Sequence, residues 1–200
     1  MSIAERIQQL QDRLHRACDD ANRSPSEVRM LAASKTVGTD AIQEALGAGH
    51  RLFGESRAQE LRDKGRQLAE HPLQPEWHFI GHLQRNKIKY LVGRVSLIHT
   101  LDRLSIGEAI AQRMERDGHT QPMPVLVEVN LGSEWSKSGV EPSQALDLCA
   151  AFHDNPYLSL QGLMAIPPWN EDPSQATPYF EQLAELAEAG RKQGLPLTEL

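Results

Sequence analysis

The chain has 200 residues, 40% hydrophobic and 24% charged, a size that suits one domain able to bury a core without disulfides or metals. The net charge of −6 provides no basic face of the kind a nucleic-acid binder needs, and the one short basic patch, Arg85-Asn86-Lys87-Ile88-Lys89, reads as a solvated helix face. Glu5 and Arg6 interrupt any signal-peptide core, and the longest apolar stretch, around 123–129, is far too short to cross a bilayer. The two cysteines, Cys18 and Cys149, lie far apart in no metal-ligand spacing, so both are expected as buried small hydrophobes in a reduced, cytoplasmic protein.

The first predicted element is a helix. Ser2-Ile3-Ala4-Glu5 has the form of a capping box, and Ile3, Ile7, Leu10, Leu14 and Cys18 recur at steps of four and three as one apolar stripe. Asn22-Arg23-Ser24-Pro25 breaks it, and 28–34 is an apolar run of strand length. A helix over 40–46 ends in Gly47 and Gly49. Strand 51–54 then leads to helix 58–69, strand 77–80 to helix 84–92, and strand 96–100 to helix 103–117. Strand 124–131 leads to helix 142–154, and strand 158–164 to helix 174–193. Asp172-Pro173 starts that last helix, Gly194 stops it, and a seventh strand begins at Leu197.

Strict strand–helix alternation predicts an α/β protein with a parallel sheet. Such a series suits a TIM (β/α)8 barrel better than a doubly wound sheet, although a barrel ordinarily takes about 250 residues. No Gly-x-Gly-x-x-Gly follows a strand, which argues against a dinucleotide site.

A barrel places its chemistry at the C-terminal ends of its strands. That rule nominates Ser34-Lys35-Thr36, Gly54-Glu55-Ser56-Arg57, Ile80-Gly81-His82, Asn130 with the following Ser136-Lys137-Ser138-Gly139, and Met164-Ala165-Ile166-Pro167. Lys35 stands out. It follows the apolar run Met30-Leu31-Ala32-Ala33-Ser34, and desolvation at such a rim yields the neutral amine that Schiff-base chemistry needs. The bland alternative is a lysine that snorkels to solvent. Glu55 and Arg57 could orient a ligand or form a structural ion pair. His78 and His82 straddle a strand end with no adjacent glutamate, so no metal is expected there. No nucleophile elbow, P-loop or Cys–His pair occurs.

Taken together, these segments resemble one family. Leu31-Ala32-Ala33-Ser34-Lys35-Thr36, Phe53-Gly54-Glu55-Ser56-Arg57-Ala58-Gln59-Glu60 and Trp77-His78-Phe79-Ile80-Gly81-His82-Leu83-Gln84-Arg85-Asn86-Lys87 carry the resemblance. Val129-Asn130, Ser136-Lys137-Ser138-Gly139 and Gly162-Leu163-Met164-Ala165-Ile166-Pro167 follow in the same order. The pattern is similar to the YggS/PROSC family of pyridoxal phosphate homeostasis proteins, over essentially the whole chain. The resemblance implies a barrel like the N-terminal domain of alanine racemase, of pyridoxal 5′-phosphate (PLP) fold type III. It implies PLP held as an internal aldimine on Lys35, with Ser56, His82, Asn130 and Met164 around the cofactor. It further implies a soluble, mostly monomeric protein that buffers PLP or delivers it to PLP-dependent apo-enzymes, with no defined turnover.

Two departures stand out. The family usually has asparagine where this chain has Ser56, so one cofactor contact is expected to be lost or bridged by water. The family also continues past Leu200 with a Ser-Met-Gly-Met-Ser and an Arg-Ile-Gly segment that form most of its phosphate cup. Neither occurs here, so the chain is expected to be truncated after strand seven. Two alternatives compete with a PLP carrier. One is a racemase-like PLP enzyme, which would need a tyrosine across the cofactor. The other is a module that binds a phosphorylated small molecule without Schiff-base chemistry.

Overall fold

The computed structural model describes residues 1–132 and 138–200. The capping box forms as the sequence predicts: Glu5 N donates to Ser2 Oγ at 3.2 Å and Ser2 N to Glu5 Oε2 at 2.7 Å, starting α1 (Ile3–Asp20). Its inner stripe is Ile3, Ile7, Leu14 and Cys18, while Leu10 is 47% exposed, one position off the buried face. Then come β1 (Ala32–Ala33), α2 (Thr39–Gly47), β2 (Leu52–Glu55), α3 (Ala58–Gln67), β3 (Glu76–Phe79) and β4 (Leu97–Leu101). They are followed by α4 (Leu104–Arg116), β5 (Met123–Glu128), α5 (Pro142–His153), β6 (Leu158–Met164) and α6 (Thr177–Lys192). The six strands are all parallel and hydrogen-bonded in chain order.

Three elements differ from expectation. The segment predicted as a helix over 84–92 is a 3-10 helix, Arg85–Tyr90, with no side-chain cap at Gln84. Arg85 and Lys89 would stand one turn apart in an α-helix, where like charges repel. The segment still buries Ile88 and Leu91 and so fills the helix position between β3 and β4. β1 pairs with β2 alone, and only Ala32 and Ala33 of the predicted 28–34 run join the sheet. The seventh strand is a single bridge, Glu199 beside Gly162 of β6, held by Leu163 N to Glu199 O at 3.1 Å.

A parallel strand covered on both faces sends alternate residues to two different interiors. Phe53, Trp77, Phe79, Ile98, Val125 and Val127 pack in the layer under the helices. Residues of opposite parity, among them Leu31, Leu52, His78, Leu97, His99 and Leu126, line a cavity of about 610 Å3 on the other face. The sheet is curled around that cavity. Arg29, just before β1, reaches Glu199, beyond β6, with Nη2 to Oε2 at 3.0 Å, so one ion pair spans from edge to edge. Cys18 and Cys149 are both free and buried, as expected, and burial pushes the Cys149 thiol up to about 12.

The strand ends are locked by a close backbone approach. A Cβ on Gly81 would come 2.0 Å from the carbonyl oxygen of Ser56, and Thr100 Oγ1 donates to Gly81 O at 2.7 Å. Backbone cannot swing aside as a flexible side chain can. Gly81→Ala should therefore destabilise the protein by about 1–3 kcal/mol, read as a lowered Tm at roughly 2–4 °C per kcal/mol.

Candidate functional site at the C-terminal rim of the sheet

The inner row of β1 runs Leu31, Ala33 and then Lys35, which lies in the turn after the strand beside Thr36 at φ 66°. Lys35 is exposed, so the desolvated lysine expected at this position is not what the structure places there. The buried lysine at this end is Lys64 of α3. Its side chain is 11% exposed and its Nζ lies 2.5 Å from Glu55 Oε1, while also donating to Ser34 O at 2.9 Å. Ser34 Oγ donates to the same Glu55 oxygen at 2.8 Å, and Glu55 is fully buried. Glu55 thus faces the helix layer, and Arg57 pairs with Glu60 at 2.9 Å on the surface. Of the two readings open for this pair, both residues take the structural one. The Glu55–Lys64 network clamps Ser34, the residue next to Lys35.

At the other side of the rim, His82 follows β3 and is half exposed. Its Nδ1 lies 3.4 Å from Asp102 Oδ2 and 3.2 Å from Ser138 Oγ. Serine and aspartate both meet the same ring nitrogen, so this is not the relay of a hydrolase triad, in which they use opposite nitrogens. Asp102 Oδ1 is held by Arg103 Nη1 at 2.5 Å. His82 and Asn130 share a cavity of about 280 Å3 with Ile80, Glu128, Ser138 and Ile166. Gly139, at φ 113°, brings its backbone onto Asn130: a Cβ there would lie 2.7 Å from Asn130 N. Asn130 N in turn donates to Val140 O at 2.9 Å. Ser136 and Lys137 lie outside the described residues.

His82 and Asn130 are therefore brought together, and Met164 lines the neighbouring larger cavity. Lys35 and Ser56 stand at the ends of the adjacent strands β1 and β2 but line neither cavity. Ser56 is half-buried. Two residues escaped the sequence reading. Asp102 directly follows β4, a strand end not among those nominated from the sequence. Glu128 is a lone carboxylate inside the apolar run Val125-Leu126-Val127-Glu128-Val129, and that isolation was the available signal. Burial first, and the Asp102 charge second, push Glu128 up to about 7.

A second titratable pair lies deeper. His78 Nδ1 is 2.8 Å from His99 Nε2, on the inner face. Burial lowers both rings, His99 to about 4. His78 and His82 thus belong to different clusters. Among the described residues no group of three His, Cys, Asp or Glu side chains is placed to hold a metal ion.

The family model described as the N-terminal domain of alanine racemase matches residues 6–200. A pyridoxal phosphate homeostasis protein of Aquifex aeolicus is 41% identical over 93% of this chain and 80% of its own length. One from Escherichia coli K12 is 38% identical over 97% of the chain and 82% of its length. Among solved structures, PipY of Synechococcus elongatus PCC7942 with PLP bound superposes with a TM-score of 0.84 at 28% identity. That match covers 100% of this chain and 87% of PipY. An alanine racemase of Clostridium difficile shares the fold, with a TM-score of 0.69 at 10% identity over 86% of this chain and 45% of the racemase.

Removing one partner from the buried Lys64–Glu55 pair strands the other charge. Lys64→Met should cost about 3–5 kcal/mol, and adding Glu55→Gln should recover part of it, as measured by urea unfolding. The histidine pair gives a pH dependence of known sign. His99 is lowered in the folded state, so the unfolded chain binds the extra proton between about pH 6.5 and about 4. Its contribution is complete above about pH 6.5 and is lost as pH falls toward about 4. His99→Gln should flatten that acid-side loss in unfolding curves taken across the window.

Proposed function

Because the chain belongs to the alanine racemase N-terminal domain family and, within it, to the pyridoxal phosphate homeostasis proteins, we propose that it binds PLP at this rim through Lys35 and serves vitamin B6 homeostasis. The observation that carries the reading is the position of Lys35. It is an exposed primary amine continuing the inner row of β1, at the same strand-end rim as the polar cavity of His82, Asn130 and Ser138. The donor set suits the cofactor: polar groups beside the apolar walls of Ile80 and Ile166 match a flat heteroaromatic ring with polar substituents. Bound PLP supplies an aldehyde that condenses with a primary amine, with loss of water. Lys35 supplies that amine, and the Ser34–Glu55–Lys64 network holds the turn that presents it.

The role is that of a carrier without defined turnover. Racemisation needs an acid–base group across the cofactor, and the three tyrosines stand elsewhere. Tyr90 stacks under Arg62 and Lys89, Tyr157 precedes β6 at the opposite end of the sheet, and Tyr179 is on α6. PLP-dependent apo-enzymes are the proposed recipients, and the protein acts as a cytoplasmic monomer. No helix of the described residues is long and apolar enough to cross a membrane.

Borohydride treatment of the PLP-loaded protein should place a pyridoxyl adduct on Lys35 in peptide mapping. Lys35→Ala should lose both the adduct and the coloured species. Because Lys35 is exposed, its stability should stay within about 0.5 kcal/mol of the parent. An adduct on another lysine, with Lys35 unmodified, would refute the assignment.

A further inference from the structure

Strand β5 carries one carboxyl group into the apolar interior. Leu126 and Glu128 lie on its inner row, and Asn130 continues that row beyond the strand end. Glu128 is 7% exposed and lines the 280 Å3 rim cavity, and among the described residues its Oε2 has no hydrogen-bond partner. A carboxylate buried without a donor is costly, whereas a neutral acid facing an acceptor is not. Among the described residues the neighbours do not supply a donor to Oε2. From β4 comes Asp102, 8% exposed at its side chain and already engaged by Arg103 and His82. Across the register in β6 stands Met164, which carries no charge. His82 lines the same cavity, but its Nδ1 lies against Asp102 and Ser138.

We propose that Glu128 contacts the cofactor in this cavity, donating a hydrogen bond from Oε2 to an acceptor on the pyridoxal ring, so that the grip on PLP depends on a proton. The inference rests on the PLP reading of the same site. Below about pH 7 Glu128 is a neutral acid that can donate, and above it a carboxylate that can only accept and that repels anionic groups. The Asp102 carboxylate beside Glu128 disfavours a phosphate at this corner, which assigns the acceptor to the ring. The protein then holds PLP at and below neutrality and loosens its hold as pH rises.

The test measures dissociation constants for PLP and for pyridoxine 5′-phosphate, whose hydroxymethyl group cannot condense with Lys35. The parent protein and Glu128→Gln are compared between about pH 6 and about pH 9. Glutamine keeps the shape and a donor but does not titrate. The ratio of parent to variant affinity cancels the titrations of the ligand and of Lys35. For both ligands that ratio should fall about tenfold per pH unit above about pH 7, because only the protonated fraction is competent to bind. An infrared carboxylic-acid band of the free parent at about pH 6 should vanish in the variant. Glu128→Leu, with bulk but no donor, should bind both ligands weakly at every pH. A ratio flat with pH for both ligands overturns the proposal whatever happens to Tm, as does Glu128→Leu matching the parent at about pH 6. If the parent binds neither ligand, the PLP reading fails and this inference with it. If the ratio falls as expected but no adduct forms on Lys35, the inference stands and only the lysine assignment fails.

Discussion

The side-chain alternation of parallel strands buried on both faces is the constraint from which the rest follows. Each strand has no neutral side: one set of residues must satisfy the helix layer and the other the inner space. A single residue's parity therefore decides whether it is structural or functional. Ser34 and Glu55 fall on the helix side and meet Lys64, whereas Ala33, Glu128 and Asn130 fall on the inner rows that end at the rim. Lys35 stands in the turn beyond β1, and the network at Ser34, one residue away, fixes that turn.

Most of the fold was legible because each element had a local cause. The capping box at Ser2, the glycine stops and the apolar runs of strand length all point the same way, and the helices and strands fall within a few residues of their predicted limits. The misreadings came where tertiary context outweighs local pattern. Nothing local reveals that residues 28–31 lack a pairing partner, or that a segment tightened to a 3-10 helix still buries Ile88 and Leu91.

The candidate site was legible as a set of strand ends but not as a set of environments. Lys35 reads in sequence as desolvated because five largely apolar residues precede it, yet the turn after β1 carries it back to solvent. The lysine that the fold covers is Lys64, set in the sequence among the charged residues Arg62, Asp63 and Arg66. Conversely, Glu128 looks like an interruption in an apolar strand, and only the inward row and its closeness to Asp102 turn it into a group that titrates near neutrality. Environment depends on what other segments bring alongside, and one segment's pattern does not contain it.

The ion pair from Arg29 to Glu199 bears on the order in which the molecule is made. Every strand pairing in the sheet joins consecutive strands, so a chain emerging from the ribosome can add each strand to a finished neighbour as it appears. Arg29 and Glu199 lie 170 positions apart, and their contact must wait for everything between them. As an exposed pair it contributes only about 0–1 kcal/mol, so it records the curl of the sheet without driving it. Because each pairing is between neighbours in chain order, curvature can accumulate strand by strand, and the Arg29–Glu199 contact can form only once β1 to β6 have shaped the space between them.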